Sequence, residues 1–165
     1  MVNLFLCFTI LHILADFHLQ PNKMFENKSS SFSWLAGHIG IHAIVFGIFA
    51  VMFDGDALIY VEAMVFVHFI LELMKAILIQ CELNIVRTHL GLVEGISQLI
   101  HLAILYGFAQ SLFTSQYFTG ITQMQTVFGF DATLFLSIVV GILLLTRPIQ
   151  VWLRIKKGSL TFVNA

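Results

Sequence analysis

Charged residues are scarce in this sequence: Asp, Glu, Lys and Arg make up 10% of it, against 59% apolar residues. Soluble domains carry about a quarter charged residues and close to half apolar ones. With a mean hydropathy of +0.94, the chain therefore reads as an integral membrane protein. A net charge of −1 excludes a basic surface for nucleic acid. The two cysteines, Cys7 and Cys81, form no CxxC pair, which excludes a disulfide framework and a zinc knuckle. The N-terminal segment has neither a basic stretch nor a small-residue cleavage site, so it reads as a retained helix rather than a signal peptide. There is no internal repeat, no low-complexity run and no HExxH.

The long apolar runs carry the fold. A helix needs about 20 residues to cross roughly 30 Å of hydrocarbon. Hydropathy divides the chain into five such segments, at about 2–20, 34–53, 57–80, 92–113 and 132–153. The expectation is one all-α transmembrane domain covering 1–165, a multi-pass inner-membrane protein. Charge orients it. With five spans, Lys23, Lys28, Lys75, Arg87, Arg147, Arg154, Lys156 and Lys157 all fall on or near one side. Asp54, Asp56, Glu62 and Asp131 occupy the other. The positive-inside bias then predicts N-terminus out and C-terminus in.

Four of these segments contain ionisable residues at helical spacing. "HILADFHLQ" brings His12 and Asp16, with Gln20 one turn on; "HIGIH" brings His38 and His42. "HFILELMK" contributes His68, Glu72 and Lys75, and "EGISQLIH" contributes Glu94, Gln98 and His101. Residues three or four apart share a helix face, so each segment carries one narrow polar stripe. All four stripes fall in the cytoplasmic half of the predicted spans. Ionisable groups facing lipid cost about 2.5–3.5 kcal/mol each on insertion scales, so the stripes are expected to meet around one pocket. His18 lies on another face and His89 in a loop, and both are read as ordinary polar residues. The fifth segment has only a small-residue stripe, Thr133, Ser137 and Gly141, suited to close helix packing or an oligomer contact. Pro148 should kink it near the cytoplasmic face.

Imidazole and carboxylate ligands together suit Zn²⁺, Fe²⁺, Mn²⁺ or Ni²⁺ rather than Cu⁺. Four-helix bundles build metal centres from facing side chains in this way. The expected ligands are His12, Asp16, His38, His42, His68, Glu72 and His101, with Gln20 and Gln98 as further polar members. Glu72 or Glu94 would act as general base and Lys75 would stabilise negative charge, in a hydrolase working on a membrane-associated substrate. Two other readings use the same residues: a proton or ion path through the His and carboxylate groups, and a structural network tying helices together.

The motifs resemble those of a bacterial integral-membrane family catalogued as domain of unknown function 3307. Its members often read H-x-x-x-D-F-x-x-Q, H-x-x-x-H, H-x-x-x-D-x-x-K and D-Q-x-x-H in that order. The resemblance spans about Leu11 to Leu102 and marks His12, Asp16, Gln20, His38, His42, His68, Glu72, Lys75, Gln98 and His101. Two positions depart from the pattern. Glu72 stands where the family usually has aspartate, and Ser97 where an aspartate usually precedes the glutamine.

Overall fold

A computed structural model describes residues 2–53, 57–81, 88–114 and 131–156. Among the described residues the chain is all helix and turn. The order is α1 (Val2–Ile13), a π-helical turn (Leu14–His18), α2 (Asn22–Asn27), α3 (Phe32–Phe53), α4 (Leu58–Gln80), α5 (Leu90–Thr114) and α6 (Ala132–Lys156). The DGD turn at Asp54 to Asp56, Arg87, the stretch from 115 to 130 and Lys157 lie outside the described residues.

Each long helix buries one stripe. In α4 the buried residues include Val61, Met64, His68, Glu72, Lys75 and Ile79, spaced three or four apart. Such spacing keeps them on one face of a 3.6-residue helix. α3 does the same with Leu35, His38, His42, Phe46 and Ala50, and α5 with Glu94, His101, Leu105, Ala109 and Leu112. Along α3 and α4 the polar residues of the stripe have apolar residues on both sides, and along α5 they precede an apolar run. The apolar ends assemble into a cluster around Leu4, Phe8, Phe46, Met64, Leu105 and Leu112. A second, smaller cluster of Phe25, Ile79 and Ile155 closes the other end. The polar residues are held between these two apolar layers.

The outer faces invert the rule for a water-soluble protein. Ile44, Met52, Phe66, Met74, Leu99 and Leu145 are all exposed, while Asp16, Glu72, Lys75 and Glu94 are buried. Hydrocarbon is the solvent that makes this pattern stable, because a charge faces inward and Leu faces tails as apolar as itself.

Among the described residues, length and composition qualify three helices to cross a membrane, not the expected five: Phe32–Met52, Leu90–Leu112 and Ala132–Ile155. The first apolar stretch, Val2–His18, is shorter, because the chain leaves helical geometry after His18. α4 is 23 residues long, and it is the helix loaded with Glu62, Glu72 and Lys75.

Two details position the site. The π turn accepts the Leu19 N–H at Leu14 O, 2.8 Å, in place of the tighter α bond. The insertion re-aims Asp16, which sits inside it; π turns recur at functional sites for this reason. Arg147 of α6 then holds the end of the turn. Its guanidinium donates to the carbonyls of Phe17 (2.8 Å), His18 (3.2 Å) and Gln20 (3.4 Å), and to Asn22 Oδ1 (2.9 Å). Helix α6 continues through Pro148 to Lys156. In its small-residue stripe Thr133 bonds Asn3 at 2.7 Å, and Ser137 bonds its own backbone.

Candidate metal centre

Helices α1, α3, α4 and α5 and the π turn converge on a cluster of five imidazoles. His42 and His68 have ring centroids 3.9 Å apart, His68 and His101 4.5 Å, His38 and His42 4.8 Å, and His12 and His101 5.3 Å. All five are buried. Two of the charged expectations, Asp16 and Glu72, are almost fully enclosed with them.

Three imidazole nitrogens point at one carboxylate oxygen. Asp16 Oδ1 lies 2.8 Å from His42 Nε2, 3.6 Å from His38 Nε2 and 4.0 Å from His68 Nε2. His38 Nε2 and His68 Nε2 are 3.2 Å from each other. One ligand atom from each of these four residues fits within 4.8 Å of all the others. Bonds of 2.0–2.1 Å at tetrahedral angles put ligand atoms about 3.3 Å apart, so the observed separations bracket those of a Zn-type site. The donor set, three neutral imidazoles and a carboxylate, is one that such a cation takes.

Asp16 is oriented by its other oxygen. Gln98 Nε2 donates to Asp16 Oδ2 at 2.9 Å, His12 Nε2 lies 3.5 Å from the same atom, and His12 Nε2 meets Gln98 Oε1 at 3.1 Å. Gln20 turns back to donate to the Asp16 carbonyl at 2.7 Å and to accept from the Phe25 N–H at 3.1 Å. Partners of this kind align the first ligands of metal sites.

Beside the four-residue group runs a ladder of alternating charge. Lys28 Nζ is 2.9 Å from Glu72 Oε2; Lys75 Nζ is 2.6 Å from Glu72 Oε1 and 3.2 Å from Glu94 Oε2. Of the expected ligands, Glu72 comes no closer than 3.9 Å to His38 Nε2 and 3.9 Å to His101 Nε2. Both its oxygens are taken by ammonium groups. His12 and His101 flank the group without joining it. The Nδ1 of His101 meets the Ser97 carbonyl at 2.8 Å. A carbonyl only accepts, so Nδ1 carries the proton and Nε2 is left as a lone-pair donor with no hydrogen-bond partner among the described residues.

Lys28 is the residue that hydropathy misplaces. Read as part of a polar connection, it is 3% exposed, and its ammonium also sits 3.5 Å from His38 Nε2. The segment holding it folds inward: α2 buries Met24 and Phe25, and the Ser29 carbonyl accepts from Gln80 Nε2 at 2.6 Å. A signal for it exists in the sequence. Among the spans, Asp16, Glu72 and Glu94 face only one internal cation, Lys75, and buried charge is costly until paired. His18 and His89 stay outside the cluster. His18 bonds Thr146 at 3.0 Å, and His89 is exposed at the start of α5.

No curated protein and no solved structure matches the chain. The motifs that build the centre are nonetheless those of a recognised group, and its family model covers residues 4–129, which include every residue of the cluster. The chain belongs to the family described as "Protein of unknown function (DUF3307)".

Proposed function

We propose that the chain is a five-span, N-out and C-in inner-membrane protein of one domain, whose centre holds a divalent transition ion such as Zn²⁺, Fe²⁺ or Mn²⁺ and hydrolyses a membrane-associated substrate. One observation carries this reading: three Nε2 atoms from α3 and α4 and one carboxylate oxygen from the π turn aim at a common point, inside apolar walls. Asp16, His38, His42 and His68 are the ligands. Gln98 and His12 hold Asp16 in register.

A bound ion would supply Lewis acidity and lower the pKa of a coordinated water towards about 7. The chain's own groups do the rest. In hydrolysis, water adds across an ester or anhydride bond and its proton passes to the leaving oxygen. His101 Nε2, with its lone pair free, is the best-placed acceptor for that proton. Glu72, held by two ammoniums, keeps Lys28 and Lys75 beside the reacting centre, where they offset developing negative charge. Glu94 secures Lys75 from the far side.

A second reading uses the same contacts. His12 Nε2 lies 3.5 Å from Asp16 Oδ2 and His42 Nε2 2.8 Å from Asp16 Oδ1, and chains of His and carboxylate groups of this kind carry protons in transporters. Elemental analysis separates the two. Protein purified in mild detergent without chelators is expected to hold about one ion per chain. His42→Ala and Asp16→Asn should drop it to a small fraction of that. A folded wild-type protein without stoichiometric metal would overturn the metal reading. Proton flux in proteoliposomes that depends on Asp16 would then establish the relay in its place.

A further inference from the structure

A groove of about 380 Å³ lies between α1, α5 and α6, and one of its walls is the edge of the metal centre. Its lining is almost wholly apolar, with Phe5, Leu102, Val140 and Leu144 at one end and Pro148 and Ile155 at the other. Of its polar lining residues, His12, Gln98 and Glu94 lie beside the histidine cluster, while Thr9 and Trp152 lie elsewhere along α1 and α6; together they add almost no polar surface to the groove. Along α1 and the π turn it runs from Phe5 to Phe17, about 18 Å at roughly 1.5 Å per residue. One leaflet of hydrocarbon is about 15 Å deep, half of the usual 30 Å core. The volume is within the range of small-molecule sites, roughly 300–1,000 Å³.

Charge decides what the polar flank receives. Asp16, Glu72 and Glu94 are balanced by Lys28 and Lys75 alone, which leaves one negative charge in excess. A divalent ion turns this into one positive charge in excess, buried where no water screens it. His12 and Gln98 both line the groove and both touch Asp16 Oδ2, His12 Nε2 at 3.5 Å and Gln98 Nε2 at 2.9 Å.

We propose that this groove seats the single hydrocarbon chain of an anionic amphiphile, with its head drawn past His12 and Gln98 to the loaded centre. The proposal rests on the metal reading for its head group and on the groove alone for its tail. It makes the substrate class a lipid with an anionic head, entering sideways between α1, α5 and α6. The tail lies towards Phe5 and Leu102, and the head lies at the His12 and Gln98 level, where the neighbouring Glu94 carboxylate is held on Lys75 at 3.2 Å.

Gly95 offers a clean test, because it lines the groove and a Cβ there meets nothing within 4 Å. Gly95→Phe therefore starts its side chain in open space and brings a ring to the groove wall. The measurement is saturable binding of radiolabelled hexadecyl phosphate to the full chain in nanodiscs of zwitterionic lipid, with metal content determined on each sample. Wild type is expected to bind about one molecule per chain. Gly95→Phe should weaken binding at least tenfold while keeping its metal. Hexadecanol and inorganic phosphate should each bind at least tenfold more weakly than the alkyl phosphate. Equal binding by Gly95→Phe would overturn the groove as the tail site, and equal binding of hexadecanol would overturn the anionic head. Metal-free wild type that still bound the alkyl phosphate in a Gly95-dependent way would overturn the loaded centre as the head's site and uphold the groove as the tail's.

Discussion

Lys28 and Glu72 show how single residues are held at this site. Both are buried charges held by pairing: Lys28 sits 2.9 Å from Glu72, whose other oxygen is held by Lys75 at 2.6 Å. Removing one member of a buried pair typically costs about 3–5 kcal/mol, and Lys75 alone is then left to offset Glu72. Lys28→Met should therefore lower the melting temperature sharply. The double variant Lys28→Met with Glu72→Gln should recover much of the loss, because Lys75 keeps Glu94 as its partner at 3.2 Å. Thermal unfolding in detergent checks this. A double variant as unstable as the single one would show that the pairing is not what holds Lys28 inside. The four clustered residues Asp16, His38, His42 and His68 were all legible as candidates from their spacing. Lys28 was not, because hydropathy assigns a lysine in a polar stretch to the surface and carries no information about chain folding back on itself.

At the scale of elements, the π turn and α6 act together. The turn ends with carbonyls that no further helix satisfies, since Pro21 follows in extended geometry at φ −63°, ψ 149°. Arg147 accepts that task by donating to three of them and to Asn22. Hydrogen bonds to a charged group are worth about 1.5–3 kcal/mol each at most. Arg147→Ala should cost about 2–3 kcal/mol in unfolding and loosen metal retention, because Asp16 rides on the turn. Arg147→Lys should restore little, since an ammonium lacks the planar fork. Melting curves and metal content of the two variants test this, and an unchanged Arg147→Ala would remove the capping role. The sequence marks α6 as a helix with a small-residue packing stripe, and Arg147 only as one of the basic residues gathered on one side of the spans. That reading misses the capping because the bond partner is about 130 residues away.

For the molecule as a whole, the inverted distribution of polarity is the dominant fact. Apolar side chains face outward along every long helix while five histidines, three acids and two lysines meet inside. With tails as apolar as the core, helix association here draws on packing and polar contacts rather than on expulsion of water. The layered arrangement, apolar cluster, polar centre and second apolar cluster, is what such a balance produces. The proposed orientation follows from the basic residues, and reporter fusions test it. A cytoplasmic reporter joined after Ala165 is expected to be active and a periplasmic one silent; the reverse would invert the topology.

Composition and spacing alone determined that this is an all-helical, membrane-type chain, that polar stripes occur on four of its helices, and which histidines and acids belong to them. Periodicity is a local property, and 3.6 residues per turn can be counted along a string. Tertiary structure decided everything that depends on partners. It put Lys28 in the interior, brought Asp16 rather than Glu72 to the three imidazoles, set Arg147 on the end of the π turn, and opened an apolar groove against His12 and Gln98. Each of these is a contact between distant segments, and its energy exists only once the helices have packed.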